Sequence, residues 1–565
     1  MAIPASSPAI TLIALPQLVN EVASRAVQLG AGNELSLTCR AFSQANLLHA
    51  PDLYVELERQ HCDELLTPRV VAALRSRTSK LAIRLTQPHN LGNGQYIELL
   101  THALDKLGSC AAVEACELDI TAYEDSDSDS DSSWTLDFSP ALAQRLVESF
   151  PGLTALSLTS YTITCSDLAS LLSQLSLQLQ KLDLYEITIL QPQQPGPGAI
   201  TLDNLFHGAR LKQLHMTGIT PAQLPNLQPL AQHLTQLQLM GYNQPLHDLV
   251  RLGLASLAGL QVLSITGRNY LNGVPQLLQA LPQLHTLHLP CTLVNGRQEL
   301  DALLAATQLT NVKFSSMEGL AKSQAGAPCT WRQLELTGHI DCATAACLPL
   351  QSLTQPLELR AFSVSAKQDS KALVEAAARN LTQAGRLCVK IQAMVLDFEG
   401  CGESKGPQAV RRLLAALRPL HHCSAKDITL HHLSRMTAAT LPLLAPLCQG
   451  SARLTFVCGS VDPSLEFWRQ LMQGLPTVRG VFFASTLDSD SKAACAVLRQ
   501  MAEQPWSRPL DILIRPWMDR SLPEHCMAIH REFGGAPSTR SIAKFTVAFY
   551  IHDHRTGYCP PGLPF

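Results

Sequence analysis

The chain has 565 residues, 46 % apolar and 16 % charged, with a formal net charge of −3 and no basic half. That supply of core material excludes a chain disordered over most of its length, and the charge balance leaves no electrostatic footprint for nucleic acid. No run reaches about 18 unbroken apolar residues, which excludes a transmembrane helix.

Residues 1–15 lack the cationic start and the cleavage site of a signal peptide. The 17 cysteines contain no Cys-x-x-Cys pair, so they read as reduced intracellular thiols. A soluble cytoplasmic or nuclear protein is expected, with no membrane and no nucleic-acid partner.

Residues 1–57 form the first section. Leu15-Pro16 opens a helical pattern through Leu18, Val19, Val22 and Ala26. A Gly-Ala-Gly break at 30–32 precedes a second amphipathic run through Leu35, Leu37, Cys39, Phe42, Ala45 and Leu48, closed by Pro51-Asp52-Leu53-Tyr54. Residues 58–123 carry weak leading repeats, and the anchoring pairs expected at the start of the array are Val55/Leu57, Leu81/Ile83 and Cys116/Leu118. Residues 124–133 are a run of Asp and Ser that cannot bury itself and is expected to be a disordered, solvated loop. Within it Ser126 and Ser128 each have Asp three residues on, a pattern an acidophilic kinase would take; an inert insertion is the other reading.

Residues 134–340 are the clearest part of the chain. Ser139-Pro140 caps a helix, Ala141 to Phe150 gives it an apolar stripe, and Pro151-Gly152 stops it just before Leu153. Leu153-Thr-Ala-Leu156-Ser-Leu158 is the first of eight phrases of the form Leu-x-x-Leu-x-Leu. Later copies begin at Leu179, Leu211, Leu234, Leu260, Leu284, Leu309 and Trp331. Residues 341–530 keep the strand pair in looser form, as Leu357/Leu359, Val389/Ile391, Ile428/Leu430, Leu454/Phe456, Val481/Phe483 and Leu510/Ile512. Helical limbs are expected between them. Residues 531–565 hold a last strand candidate, Phe545 to Tyr550, and read as a cap and tail.

The recurring phrase resembles the leucine-rich repeat. That resemblance implies an α/β solenoid of short parallel strands with helical return limbs. The family places Asn or Cys three residues after the last Leu, where this chain has Tyr161, Ile187, Ile219, Tyr242, Arg268, Thr292, Met317 and His339. The turns therefore need another support, and Gly218, Gly241, Gly267 and Gly338 stand just ahead of these positions.

The first section resembles the F-box. Leu15-Pro16, then Cys39-Arg40-Ala41-Phe42, then Pro51-Asp52-Leu53-Tyr54 match that family's three blocks in order and spacing. Gln17 to Asn20 stand where the family has acidic residues, and Tyr54 replaces its Trp. The resemblance implies that Leu15, Pro16, Cys39, Arg40, Phe42, Pro51, Leu53 and Tyr54 dock on the Skp-type adaptor of a cullin ubiquitin ligase. A plain helical cap over the first repeat's open edge is the alternative, and the two are compatible.

In such strands the Leu anchors point inward and the residues between them point to the concave face. Asp183, Tyr185, His215, Gln238, His285, His288, Lys313, Arg332 and Glu335 are the expected contacts for a protein partner there. No Ser–His–Asp order, paired carboxylates, zinc spacing or phosphate loop stands out, so neither catalysis nor a cofactor is expected. Two functions follow as expectations. One is a ligase substrate adaptor, monomeric within its complex; the other is a repeat scaffold of a cytoskeletal or ciliary assembly.

Overall fold

The computed structural model describes residues 52–57, 78–86, 93–121, 136–176, 178–192, 199–218, 223–242, 253–267, 273–293, 297–317, 329–383, 389–399, 406–423, 425–433, 436–457, 464–486, 510–516 and 545–549, with isolated positions at 66, 68, 71, 72, 75 and 320. Leu15, Pro16, Cys39, Arg40, Phe42, Pro51, Ser126 and Ser128 lie outside the described residues. Two compact units emerge, residues 1–287 and 288–565. Their division falls inside residues 134–340.

In the first unit the described elements run β1 (Asp52–Leu57), β2 (Lys80–Thr86), α1 (Asn93–Leu107), β3 (Ala115–Thr121), β4 (Leu136–Asp137) and α2 (Pro140–Ser149). Then come β5 (Ala155–Thr159), β6 (Tyr161–Thr164), α3 (Cys165–Gln174), β7 (Lys181–Tyr185), β8 (Thr188–Leu190), β9 (Gln213–Thr217), β10 (Gln236–Met240), β11 (Val262–Thr266) and α4 (Val274–Ala280). β1, β2, β3, β5, β7, β9, β10 and β11 pair in that order, every pair parallel. Leu156, Leu182, Leu214, Leu237 and Leu263 share one rung, and Leu158, Leu184, Met216, Leu239 and Ile265 share another. All ten are buried. At about 1.5–3 kcal/mol for each fully buried large apolar side chain, this column contributes substantially to the unit's stability.

The ladder corrects the first anchoring pair. Leu53 and Val55, not Val55 and Leu57, align with Leu81 and Ile83. An alternating Leu53-x-Val55-x-Leu57 strand offers two equivalent phases, and pairing with the neighbour selects one. The same pairing places Leu53 and Tyr54 in a strand, so residues 52–57 are not part of a helical segment.

Helix α2 forms as its sequence dictates. Ser139 Oγ accepts the Leu142 N–H at 3.2 Å, Pro140 occupies the first turn, and Leu142, Ala143, Leu146 and Ser149 are the buried face. The described parts of two later limbs hold 3₁₀ turns. Between β9 and β10 the described limb holds a 3₁₀ turn, Gln228–Leu230, and between β10 and β11 another, Leu254–Ser256. Pro225 and Pro229 remove backbone donors in the first, and Gly253 in the left-handed region sets off the second.

The turns replace the missing Asn with backbone. Ser160, Glu186, Gly218 and Gly241 each follow their strand directly, at φ of 62°, 55°, 73° and 77°. In that conformation the Ser160, Glu186 and Gly218 N–H groups donate to the last carbonyls of the next strand, Tyr185, Thr217 and Met240, at 2.9–3.1 Å. At Ser160 and Glu186 the chain then swings into a second small parallel sheet of β4, β6 and β8. The corner that Asn would fill is packed instead by Tyr161, Ile187 and Tyr242, all buried. A side chain at Gly218 would find its nearest neighbour, Glu186, at 3.6 Å, so only backbone strain opposes it. Gly218→Ala is therefore expected to destabilise the first unit by about 1–2 kcal/mol, read from its urea midpoint.

The strand β12 (Thr286–Leu293) straddles the division. Unit two then runs α5 (Arg297–Ala305), β13 (Asn311–Ser316), β14 (Gln333–Ile340), α6 (Cys342–Cys347), β15 (Glu358–Ser365), α7 (Lys371–Gln383), β16 (Lys390–Asp397) and α8 (Gly406–Leu417). It continues with β17 (Asp427–His431), α9 (Leu441–Leu444), β18 (Arg453–Val457), α10 (Leu465–Gly474), β19 (Gly480–Thr486), β20 (Leu510–Pro516) and β21 (Phe545–Phe549). β13 to β21 pair in sequence order, all parallel, so the ladder extends into the section expected to be a cap.

A frame step divides this ladder. Leu334 and Leu336 continue the rungs of Val312 and Phe314, but the pairing shifts between Leu336 and His339. From there the anchors are Phe362/Val364, Met394/Leu396, Ile428/Leu430, Leu454/Phe456, Val481/Phe483 and Ile512/Ile514. Thus Leu510/Ile512 was expected in the wrong phase, whereas Ile391 continues the rung of Leu359 and Leu336 as expected, and the ladder passes on to β17 through a second pair in β16, Met394/Leu396. β14, β15 and β16 are eight residues long and carry buried residues in both phases, such as Ile391 and Met394. Gly338 makes the step possible by close approach rather than by a left-handed φ: a Cβ there would lie 2.6 Å from the Ser315 carbonyl oxygen.

Candidate protein-binding face

Alternation along the strands buries the anchors and leaves the residues between them half-exposed, the repeating pattern of β5, β9, β10 and β11. In the first unit Glu117, Ser157, Asp183, His215, Gln238 and Ser264 form one outward rung. In the second, Lys313 faces Glu335. The first unit thus carries an outward row, and the second an outward pair at Lys313 and Glu335.

Asp183 is its best-defined point. Lys181 Nζ donates to Asp183 Oδ2 at 2.7 Å and His215 Nδ1 lies 2.9 Å from Asp183 Oδ1. Burial pushes the Asp183 carboxyl up, but the bonds from His215 and Lys181 outweigh it and hold the group below the usual carboxylate range. On the neighbouring rung Thr159, Tyr185, Thr217, Met240 and Thr266 align. Tyr185 is 44 % exposed, one of two large hydrophobic side chains in the open among the described residues.

In the second unit Lys313 Nζ and Glu335 Oε1 pair at 2.6 Å. Burial, and then the Lys313 charge, push the His288 imidazole down, with Glu335 opposing. Two expected residues stand apart from these clusters. His285 lies on the first unit's side of the division, its Nδ1 3.0 Å from Thr286 Oγ1. Arg332 is exposed just ahead of β14, where its N–H donates to the Thr310 carbonyl at 2.7 Å.

Sequence reasoning did not single out Lys181. It also missed the far end of the second unit. There His432 Nδ1 lies 2.9 Å from Asp397 Oδ1, with the His431 ring 6.0 Å from that of His432. His432 sits at φ 53° one residue past β17, repeating the turn device of the first unit. Burial pushes the Asp397 carboxyl up, but the His432 bond, the Glu399 N–H and both histidines outweigh it and hold the group low. Burial, with His432 and His339, pushes His431 down against the pull of Asp397.

These histidines make the second unit acid-sensitive. The folded pKa values of His288 and His431 lie below the unfolded value of 6.5. Their neutral forms are thus favoured by folding, and the stability is fully present above that value. It is lost as pH falls from there through the lowered folded pKa values. The urea midpoint of the second unit should drop between about pH 7.5 and about pH 5.5, and a His288→Gln/His431→Gln variant should flatten that slope.

Buried thiols offer no nucleophile. Burial raises the pKa of Cys116, Cys342 and Cys448, the last to about 12, so all three stay protonated at neutral pH. Among the described residues no group of three or more His, Cys, Asp or Glu could hold a metal ion, and no helix is long and apolar enough to cross a membrane.

The chain matches no known family profile and no curated protein. Among solved structures it is similar to a leucine-rich-repeat protein of Leptospira interrogans, at 14 % identity and a TM-score of 0.37, covering 77 % of this chain and 97 % of that one.

Proposed function

We propose that the chain is a non-enzymatic protein-interaction solenoid acting as the substrate-recognition adaptor of a cullin-type ubiquitin ligase. Its strand face holds a protein, and residues 1–57 dock on a Skp-type adaptor. The observation that carries the interaction role is the in-register outward row, with the Lys181–Asp183–His215 cluster beside exposed Tyr185. The ligase link rests on Leu15-Pro16, Cys39-Arg40-Ala41-Phe42 and Pro51 standing immediately ahead of the first strand. Holding a substrate beside the transferring enzyme raises its effective concentration, and no chemistry is asked of this chain. The reading places the protein in the cytoplasm or nucleus as a monomer within the complex.

Purified full chain should retain a Skp-type adaptor, and Leu15→Asp with Pro16→Ala should abolish that retention. Retention unchanged by the double substitution sinks the ligase role. The entry of Leu53 and Tyr54 into β1 favours a second reading, in which residues 1–51 cap the array of a cytoskeletal or ciliary scaffold. In that case the adaptor fails to bind while the strand face still holds its partner.

A further inference from the structure

The far end of the second unit differs in chemistry from the polar rows. Beyond the frame step, the outward rung reads Ser363, Val395, Thr429, Thr455 and Phe482, in register from β15 to β19. Each is half-exposed on the open face. Val457 adds an apolar position on the next rung, and the register carries the main row on to Leu513 in β20. Thus the main row of β16 to β19 holds no charge, with Val395, the methyl-bearing Thr429 and Thr455, and Phe482, where the polar rows carry Asp, His, Lys and Glu; the next rung sets Asp397 and His431 beside Val457.

The margins of this stripe are unequal in charge. At the strand starts lie Lys426, Arg453 and Arg479, opposed there by Asp427. Lys426 and Arg479 are exposed. At the strand ends the carboxylate of Asp397 is already held by His432. An apolar stripe with a basic margin on one side is complementary to an apolar segment that carries acidic residues.

We propose that the open face of β16 to β19 binds a partner segment bearing apolar side chains flanked by Asp or Glu. This rests on the reading that the strand face is where a protein binds, and it names the class of segment. Apolar contact with Val395, Thr455 and Phe482 supplies the hold, and Lys426 and Arg479 select acidic over basic sequences.

Selection of a displayed random-peptide library on the full chain tests it. Survivors should be enriched in Leu, Ile or Phe together with Asp or Glu. Thr455→Glu should weaken them about tenfold or more, and Lys426→Glu with Arg479→Glu should remove the acidic preference. Thr455 is half-exposed, so its substitution leaves the buried anchors in place; an unchanged thermal midpoint verifies folding. Basic or purely polar survivors, or binding indifferent to Thr455→Glu, overturn the assignment. Survivors lost with Asp183→Ala and His215→Ala but not with Thr455→Glu overturn this site while the strand-face reading stands. Survivors insensitive to all these variants overturn both.

Discussion

Replacing Trp331 by alanine is expected to destabilise the second unit by about 3–5 kcal/mol, far more than an exposed substitution would. Trp331 is wholly buried and its ring centroid lies 6.2 Å from that of Phe314. It stands where seven other copies of the phrase begin with Leu, so the space around it is cut for an indole. Alanine leaves a cavity that neighbours held in a hydrogen-bonded ladder cannot collapse into. Trp331→Leu restores the repeat's common residue and should cost less than alanine, because more volume remains. Chemical denaturation followed by circular dichroism measures both. A loss below about 1 kcal/mol for alanine would contradict the packing described.

Gly338→Ala is expected to destabilise the same unit by about 1–3 kcal/mol through overcrowding. The added methyl would lie 2.6 Å from the Ser315 carbonyl oxygen and 2.9 Å from Ser315 Oγ. Relief requires backbone movement between β13 and β14. Thr337, adjacent in sequence, is itself fixed by its hydroxyl, 2.8 Å from the Pro290 carbonyl oxygen. Gly259→Ala is the control, since no atom lies within 4 Å of a Cβ built there. It should stay within about 0.5 kcal/mol of the parent. Equal effects at the two glycines would remove the steric account of the frame step.

These two sites also mark what was and was not legible in the sequence. The eight full phrases fixed strand phase because three anchors at unequal spacing, Leu-x-x-Leu-x-Leu, fit one register only. Every rung from Leu156 to Ile265 follows them. Where a strand merely alternates, as in Leu53-x-Val55-x-Leu57 or Leu510-x-Ile512-x-Ile514, both phases look alike, and the true one is set by the neighbouring strand. The frame step at Gly338 was hidden for the same reason. Its residues satisfy the pattern locally, and only the paired ladder shows that two phases coexist in β14 to β16.

The candidate site follows suit. Asp183, His215, Lys313 and Glu335 were identifiable because their strands carry the unambiguous phrase. Thr429, Thr455 and Phe482 lie between pairs the sequence offered, Ile428/Leu430, Leu454/Phe456 and Val481/Phe483, but Val395 was hidden, since anchoring β16 at Val389 and Ile391 pointed to Lys390 as its outward residue. The turns were missed in part because a left-handed Ser160, Glu186 or His432 has no residue signature, unlike Gly218.

Binding of partners on the strand face, and not on the return limbs, is the claim on which the rest depends. Affinity purification of the full chain in two variant forms tests it most directly. One variant carries alanine at Asp183, Tyr185, His215, Lys313 and Glu335; the other carries alanine at Arg145 and Glu148 of α2 and at Glu466 and Arg469 of α10, all on the return limbs. Strand-face binding predicts that the proteins recovered with the parent chain are lost from the first variant and kept by the second. Partners kept by the first and lost from the second would contradict it.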